Sequence, residues 1–328
     1  METNPTAPQP ILAVAPGPHI LGGSLTTRRM MIDVLLGLLP LVAVAVWQFR
    51  QYALMQIGIG VVAALAAEWL FLRMRGREAM LSDGSAAVTG LILALSLPAT
   101  APWYIAAVGS FAAIGLGKAV FGGLGQNLFN PAMVGRAFAM IAFPAAMGAS
   151  AYVLQTSTID ALTHATPLTA LKMAGEVAAL KPLFLGTTNG SIGETSALAA
   201  ILGGLYLCAR RTASWEIPAG AVLATLVAAG LPALFRDGSG WSVAHDLSAG
   251  AFLFGAFFIA TDPVSSPLTP KGKWIFGIAY GLMVLLIRRL SGYPEGVMFA
   301  ILIVNALVPL INRISIPVPV GGPVPEKK

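Results

Sequence analysis

Apolar runs recur along this chain, separated by short polar turns, and a backbone inside hydrocarbon must satisfy its own polar groups. The runs fall at about 30–49, 52–72, 86–97, 103–121 and 132–148, then 192–208, 216–235, 248–260, 274–290 and 296–312. A membrane helix needs about 20 mostly apolar residues, and a broken one needs fewer where neighbours cover it. The runs at 86–97 and 248–260 are short. Only 10% of the 328 residues are charged, against roughly 25% in an ordinary globular chain. With mean hydropathy +0.79 there is too little charge to coat a soluble particle of this size. The expected fold is an all-α polytopic membrane protein with about ten transmembrane helices.

Cys208 is the single cysteine, and His19, His164 and His245 lie far apart in sequence. This excludes a tetra-thiolate iron–sulfur cluster and a disulfide framework within the chain, and it disfavours a bis-histidine haem. No metal-ligand spacing and no catalytic constellation stands out. The net charge of +6 is read as basic cytoplasmic loops, not as a nucleic-acid surface. Residues 1–18 are rich in proline and read as an arm; a removable signal peptide is not expected.

With the N-terminus inside, cytoplasmic segments hold Arg28, Arg29, Arg73, Arg75, Arg77, Lys118, Arg210, Arg211, Lys271, Lys273, Arg313, Lys327 and Lys328, thirteen in all. Outer segments hold six: Arg50, Lys172, Lys181, Arg236, Arg288 and Arg289; Arg136 lies within a span. That bias places both termini in the cytoplasm and the polar 149–190 segment on the outer face. The pair Arg288–Arg289 sits against the rule. The chain divides into a cytoplasmic arm (1–28), a first membrane repeat (29–148), the outer segment (149–190), a second repeat (191–314) and a cytoplasmic tail (315–328).

The two short runs correspond. Asp83-Gly-Ser85-Ala86 opens one and Asp246-Leu-Ser248-Ala249 the other, 163 residues on, and each runs to a proline, Pro98 or Pro263. Each half then has a basic span end (Lys118; Arg288–Arg289), a glycine-containing turn and an asparagine followed by proline (Asn130-Pro131; Asn305, then Pro309). Five spans per repeat require the second copy to be inverted, an arrangement whose paired short helices point to a midplane site. The competing reading is chance similarity among Ala- and Gly-rich helices.

Ionisable residues in or beside spans are Asp33, Glu68, Lys118, Arg136 and Glu295. Buried charge is costly, so each needs a partner or a cavity. Glu68, close to Arg73, reads as an interfacial ion pair. Arg136 divides evenly between a clamp on helix carbonyls and a ligand contact. Asp83, Arg136, Asp262 and Glu295 are the ion-path candidates. The loop Gly122-Gly123-Leu-Gly125-Gln-Asn127 is no Rossmann turn, since a membrane helix precedes it; its glycines allow close approach of backbone or a planar ligand.

Within the outer segment, Thr166 reads as the N-cap of a short helix over 168–180, with Pro167 at its first position. The same run has the form Asp160-x-x-Thr163-x-Ala165-Thr166-x-Leu168, which looks like an acceptor motif for covalent FMN attachment. Further runs join it: Thr27-Arg-Arg-Met-Met31, Leu95-Ser-Leu-Pro98-Ala-Thr-Ala-Pro102-Trp103, and Gly122 through Met133. Ala260-Thr-Asp262-Pro263-Val-Ser-Ser-Pro267, Gly292-Tyr-Pro-Glu295-Gly296 and Asn305-Ala-Leu-Val-Pro-Leu-Ile311 complete the set. Along almost its whole length the chain resembles the D subunits of the Rnf ion-translocating electron-transport complex, and more distantly the B subunits of the sodium-pumping NADH:quinone reductase.

The resemblance implies a ten-helix fold similar to urea transporters in a bacterial inner membrane, with the flavin segment on the periplasmic side. It implies FMN esterified to Thr166 by a separate flavin transferase, and a second, non-covalent flavin (riboflavin), placed beside Gly123, Asn127 and Asn130. The implied partners are two small membrane subunits, a second covalent-FMN subunit, and iron–sulfur and NADH-binding subunits. The complex would pass electrons between ferredoxin and NAD while moving Na⁺ or H⁺. The contrasting reading is a urea-transporter-like solute channel without redox role, which has no use for the Asp160–Leu168 run. His164 falls at a variable position of that run and takes no role.

Overall fold

The computed structural model describes residues 26–76, 81–148, 165–233, 241–293 and 295–316. Asp160, Thr163 and His164, most of the N-terminal arm and most of the tail lie outside them. The described residues form helices and turns, with one isolated bridge between Pro98 and Ser191.

Among the described residues, three helices are long and apolar enough to cross a membrane: α1 (Thr27–Phe49), α2 (Gln51–Met74) and, near the end of the chain, Val297–Ser315. With these and several shorter apolar helices, the chain is a multi-pass membrane protein. At 23 residues α1 spans about 35 Å, enough for the ~30 Å hydrocarbon core. Thr26 caps it by accepting from the Arg29 amide. A single corner residue, Arg50 at φ 50°, turns the chain into α2.

The short run becomes α3 (Ser85–Leu95), buried at every residue except Ala87. Around it stand α1, α2, α4 (Trp103–Ile114, continued by a π-helical turn, Gly115–Ala119) and α5 (Pro131–Ala142). The short α6 (Pro144–Met147), α7 (Pro167–Ala174) and α8 (Leu180–Leu185) follow. The helix expected over 168–180 stops at Ala174, because Gly175 takes a left-handed conformation that ends it.

The second half contains α9 (Ala197–Ala209), α10 (Glu216–Ala233), α11 (Val243–Ser248) and α12 (Phe252–Phe254), the last continued by a π-helical turn at Gly255–Ile259. Then come α13 (Pro270–Leu290) and α14 (Val297–Ser315). The run at 248–260 is thus an extended break at Ala249 between two short helices.

In lipid there is no hydrophobic drive between helices, so close packing of small residues holds them together. A methyl added at Gly90 of α3 would lie 2.5 Å from the Gly60 carbonyl oxygen of α2. One at Gly203 of α9 would lie 2.0 Å from the Gly37 carbonyl of α1, and one at Gly277 of α13 2.3 Å from the Ile217 carbonyl of α10. These crossings admit only hydrogen. The polar groups gather at two ends, one around Lys118 and one around Thr166.

Candidate functional site

At the Lys118 end, Lys118 in the π turn pairs with Glu68 and donates to Ser85 Oγ at 2.6 Å. Both charged groups are buried. The expected Glu68–Arg73 pair does not form: Arg73 instead stacks over Trp69, 5.8 Å from the ring centre. Asp83 accepts from the Ser85 amide (3.0 Å) and hydroxyl (2.9 Å) in the turn that leads into α3. Asp33 is held by Thr212 (3.0 Å), Arg210 (3.2 Å) and Tyr206 (3.3 Å). Asp262 accepts from Ser265 Oγ at 2.8 Å.

Gly122, Gly123 and Gly125 all have positive φ, and the loop they allow brings Asn127 and Asn130 to a narrow cleft that Lys118, Thr261 and Asp262 also line. Asn130 caps α5 by accepting from the Met133 amide. The cleft encloses about 70 Å³. Cofactor pockets usually exceed ~300 Å³, so a flavin would need these walls to move.

The Thr166 end holds a cavity of about 310 Å³. Thr166, Pro167, Leu168 and Thr169 line one side. The Thr166 hydroxyl accepts from the Thr169 amide at 3.2 Å and meets Thr169 Oγ1 at 2.8 Å, so the capping expectation holds. The residue is 8% exposed and lines the cavity. Ala165 is exposed just before it, and Leu168 packs with Leu183 and Ala249 beneath α7.

Arg136 and Met140 come from α5, Pro144 and Met147 from α6, and Thr188, Asn189 and Glu194 from the turn before α9. Gly250, Tyr293, Glu295, Met298 and Phe299 close the second-half side. Arg136 is 3% exposed, and among the described residues its hydrogen bond runs from Nη2 to Ser191 Oγ at 3.4 Å. Sequence reasoning misses Glu194, whose Oε1 accepts from the Ser191 amide at 2.7 Å. Its only signal is an acidic residue against the start of an apolar run.

Glu295 is saturated. It accepts from the amides of Ala251 (3.1 Å), Gly296 (3.1 Å) and Val297 (3.2 Å) and pairs with Arg288 at 3.3 Å. Arg288 also donates to the carbonyls of Asp246 (2.7 Å) and Ala249 (2.8 Å), while Arg289 pairs with Asp246 at 3.5 Å. The two arginines that break the charge rule are therefore held by partners at this end. The four ion-path candidates do not converge: Asp83 and Asp262 lie at the Lys118 end, Arg136 and Glu295 at the Thr166 end.

Fold and site together define a class: a multi-pass helical membrane protein with a largely apolar, cofactor-sized cavity floored by buried charge. The NQR2, RnfD, RnfE family model matches residues 13–321, and the chain belongs to that family. It is similar to the D subunit of the proton-translocating ferredoxin:NAD(+) oxidoreductase complex of Clostridium ljungdahlii, 41% identical, covering 95% of this chain and 96% of the relative. It is similar also to the D subunit of the ion-translocating oxidoreductase complex of Actinobacillus succinogenes, 40% identical, covering 92% and 95%. The D subunit of the Na(+)-translocating ferredoxin:NAD(+) oxidoreductase complex of Acetobacterium woodii is 42% identical, covering 93% of each chain.

Proposed function

We propose that this chain is the flavin-carrying membrane subunit of an Rnf-type complex that passes electrons between ferredoxin and NAD while moving Na⁺ or H⁺, with FMN esterified to Thr166. The observation that carries the proposal is the Thr166 hydroxyl, set at the start of α7 on the wall of a ~310 Å³ cavity. The start of a helix favours a phosphodiester, because its free amides and dipole face negative charge. In forming that ester from a flavin dinucleotide, Thr166 Oγ1 would bond to the flavin-side phosphorus, the diphosphate P–O bond to the leaving nucleoside monophosphate would break, and the hydroxyl proton would pass to a base of the transferase. Met140, Met147, Met298, Tyr293 and Phe299 give the cavity the apolar and aromatic walls a flat ring needs. When bound, a flavin supplies one- and two-electron transfer; the chain's own residues position it and exclude water.

The relatives' names support the oxidoreductase reading over a solute channel. They differ in the ion named, at closely similar identity. The partners proposed are the small membrane, second flavin, iron–sulfur and NADH-binding subunits, with a flavin transferase for maturation. A non-covalent riboflavin at the Asn127–Asn130 cleft would require that cleft to open.

The inverted repeat has support from paired packing. α2 packs with α4 as α10 packs with α13, and Lys118 covers the start of α3 as Arg288 covers the turn at Asp246–Ala249. Charge placement favours the Lys118 end as cytoplasmic and the Thr166 end as periplasmic. The test of the central claim is in-gel flavin fluorescence after denaturing electrophoresis. The wild-type band should fluoresce and the Thr166→Val band should not; fluorescence persisting in the variant sinks the assignment.

A further inference from the structure

Arg136 and Glu194 form a joined pair at the floor of the Thr166 cavity. Ser191 links them: its hydroxyl takes Arg136 Nη2 and its amide donates to Glu194 Oε1. Each keeps an unused polar atom, since Arg136 Nε and Glu194 Oε2 are buried and have no hydrogen-bond partner among the described residues. A guanidinium offers five donors, and a buried donor or acceptor left unpaired carries its full desolvation penalty. Both residues line the cavity, and a guanidinium and a carboxylate with hydrogen-bonding capacity to spare are together the complement of a ring edge that carries both an acceptor and a donor.

We propose that Arg136 and Glu194 bind the imide edge of the flavin ring, the guanidinium donating to a ring carbonyl and the carboxylate accepting from the ring N3–H. This deepens the Thr166 reading and rests on it. It gives this chain a means of setting the cofactor's potential. Two-electron reduction with uptake of one proton leaves one negative charge at that edge, which Arg136 stabilises and Glu194 opposes. In a water-poor cavity both effects exceed their size in bulk solvent.

The test is a redox titration of flavin absorbance in the full-length chain purified in detergent, with in-gel fluorescence on the same samples. Arg136→Gln should keep the fluorescent band and lower the midpoint potential by the equivalent of at least tenfold in the redox equilibrium, about 30 mV for a two-electron couple. Glu194→Gln should raise it, and Arg136→Lys, which keeps the charge, should shift it less than Arg136→Gln. If Arg136→Gln yields no protein, the upward shift of Glu194→Gln decides. Fluorescent variants with unmoved potentials, or shifts of the same sign for both residues, overturn this inference alone. A wild-type chain without a fluorescent band overturns the Thr166 reading and this inference with it.

Discussion

The Asn130 backbone N–H donates to Asn305 Oδ1 at 3.1 Å, tying the start of α5 to the middle of α14 across 175 residues of chain. Both are buried, and each side-chain amide reaches a further carbonyl: Asn130 donates to that of Ile259 (3.4 Å), Asn305 to that of Ser265 (2.8 Å). Two equivalent residues of the proposed repeat thus meet where the halves join.

Replacing Asn305 by Leu removes an acceptor and strands the Asn130 N–H in an apolar setting. The cost should be about 1–3 kcal/mol. Thermal unfolding in detergent should show a lower midpoint for Asn305→Leu than for wild type. An unchanged midpoint would mean the junction is held elsewhere.

Lys118→Met should leave Glu68 buried without its counter-ion, with a loss on the order of 3–5 kcal/mol. The double variant Glu68→Gln/Lys118→Met should recover most of that loss, since two neutral groups carry no such penalty. Yield and thermal midpoint of the two variants, compared side by side, check the coupling. Equal defects in both would show that Lys118 acts through Ser85 instead.

Thr166→Ser keeps the hydroxyl and the capping geometry, so it should keep a fluorescent band, whereas Thr166→Val loses it. Thr166→Val should also remove the cap on α7 at about 1 kcal/mol. Fluorescence and thermal midpoint therefore separate attachment from capping: Thr166→Asn, a good cap without a hydroxyl, should be stable and dark.

Orientation can be read with a membrane-impermeant thiol reagent on intact cells. In a Cys208→Ala background, Met173→Cys, 81% exposed at the Thr166 end, should label from outside. Arg75→Cys, exposed beyond α2, should label only after the cells are opened. The reverse pattern would invert the proposed topology.

Much of this architecture is legible in the sequence because hydrocarbon imposes a length rule. The runs at 30–49, 52–72 and 296–312 lie within α1, α2 and α14 to within a residue or so, and the run at 86–97 marks α3. Partner choice is another matter. Glu68 lies five residues from Arg73 but pairs with Lys118, fifty residues away, because only tertiary packing brings α4 against α2. Arg136 is visible as a charge inside a span. Glu194 is not, since a carboxylate beside an apolar run ordinarily marks an interface; Ser191, which joins the two, carries no charge to attract notice. Glu295 has the opposite fate: conspicuous in sequence, it is occupied by three amides and Arg288, which leaves little capacity for a passing ion.

The enclosure of α3 constrains how the protein is made. At 11 residues the helix is about 16 Å long, roughly half the hydrocarbon core, and it cannot be released into lipid alone without stranding the backbone groups at its ends. Its sheath comes partly from α4 and α5, which leave the ribosome later. During biogenesis α3 is therefore expected to stay with the insertion machinery until those helices arrive. The first half of the chain then enters the bilayer as a folded packet, not helix by helix.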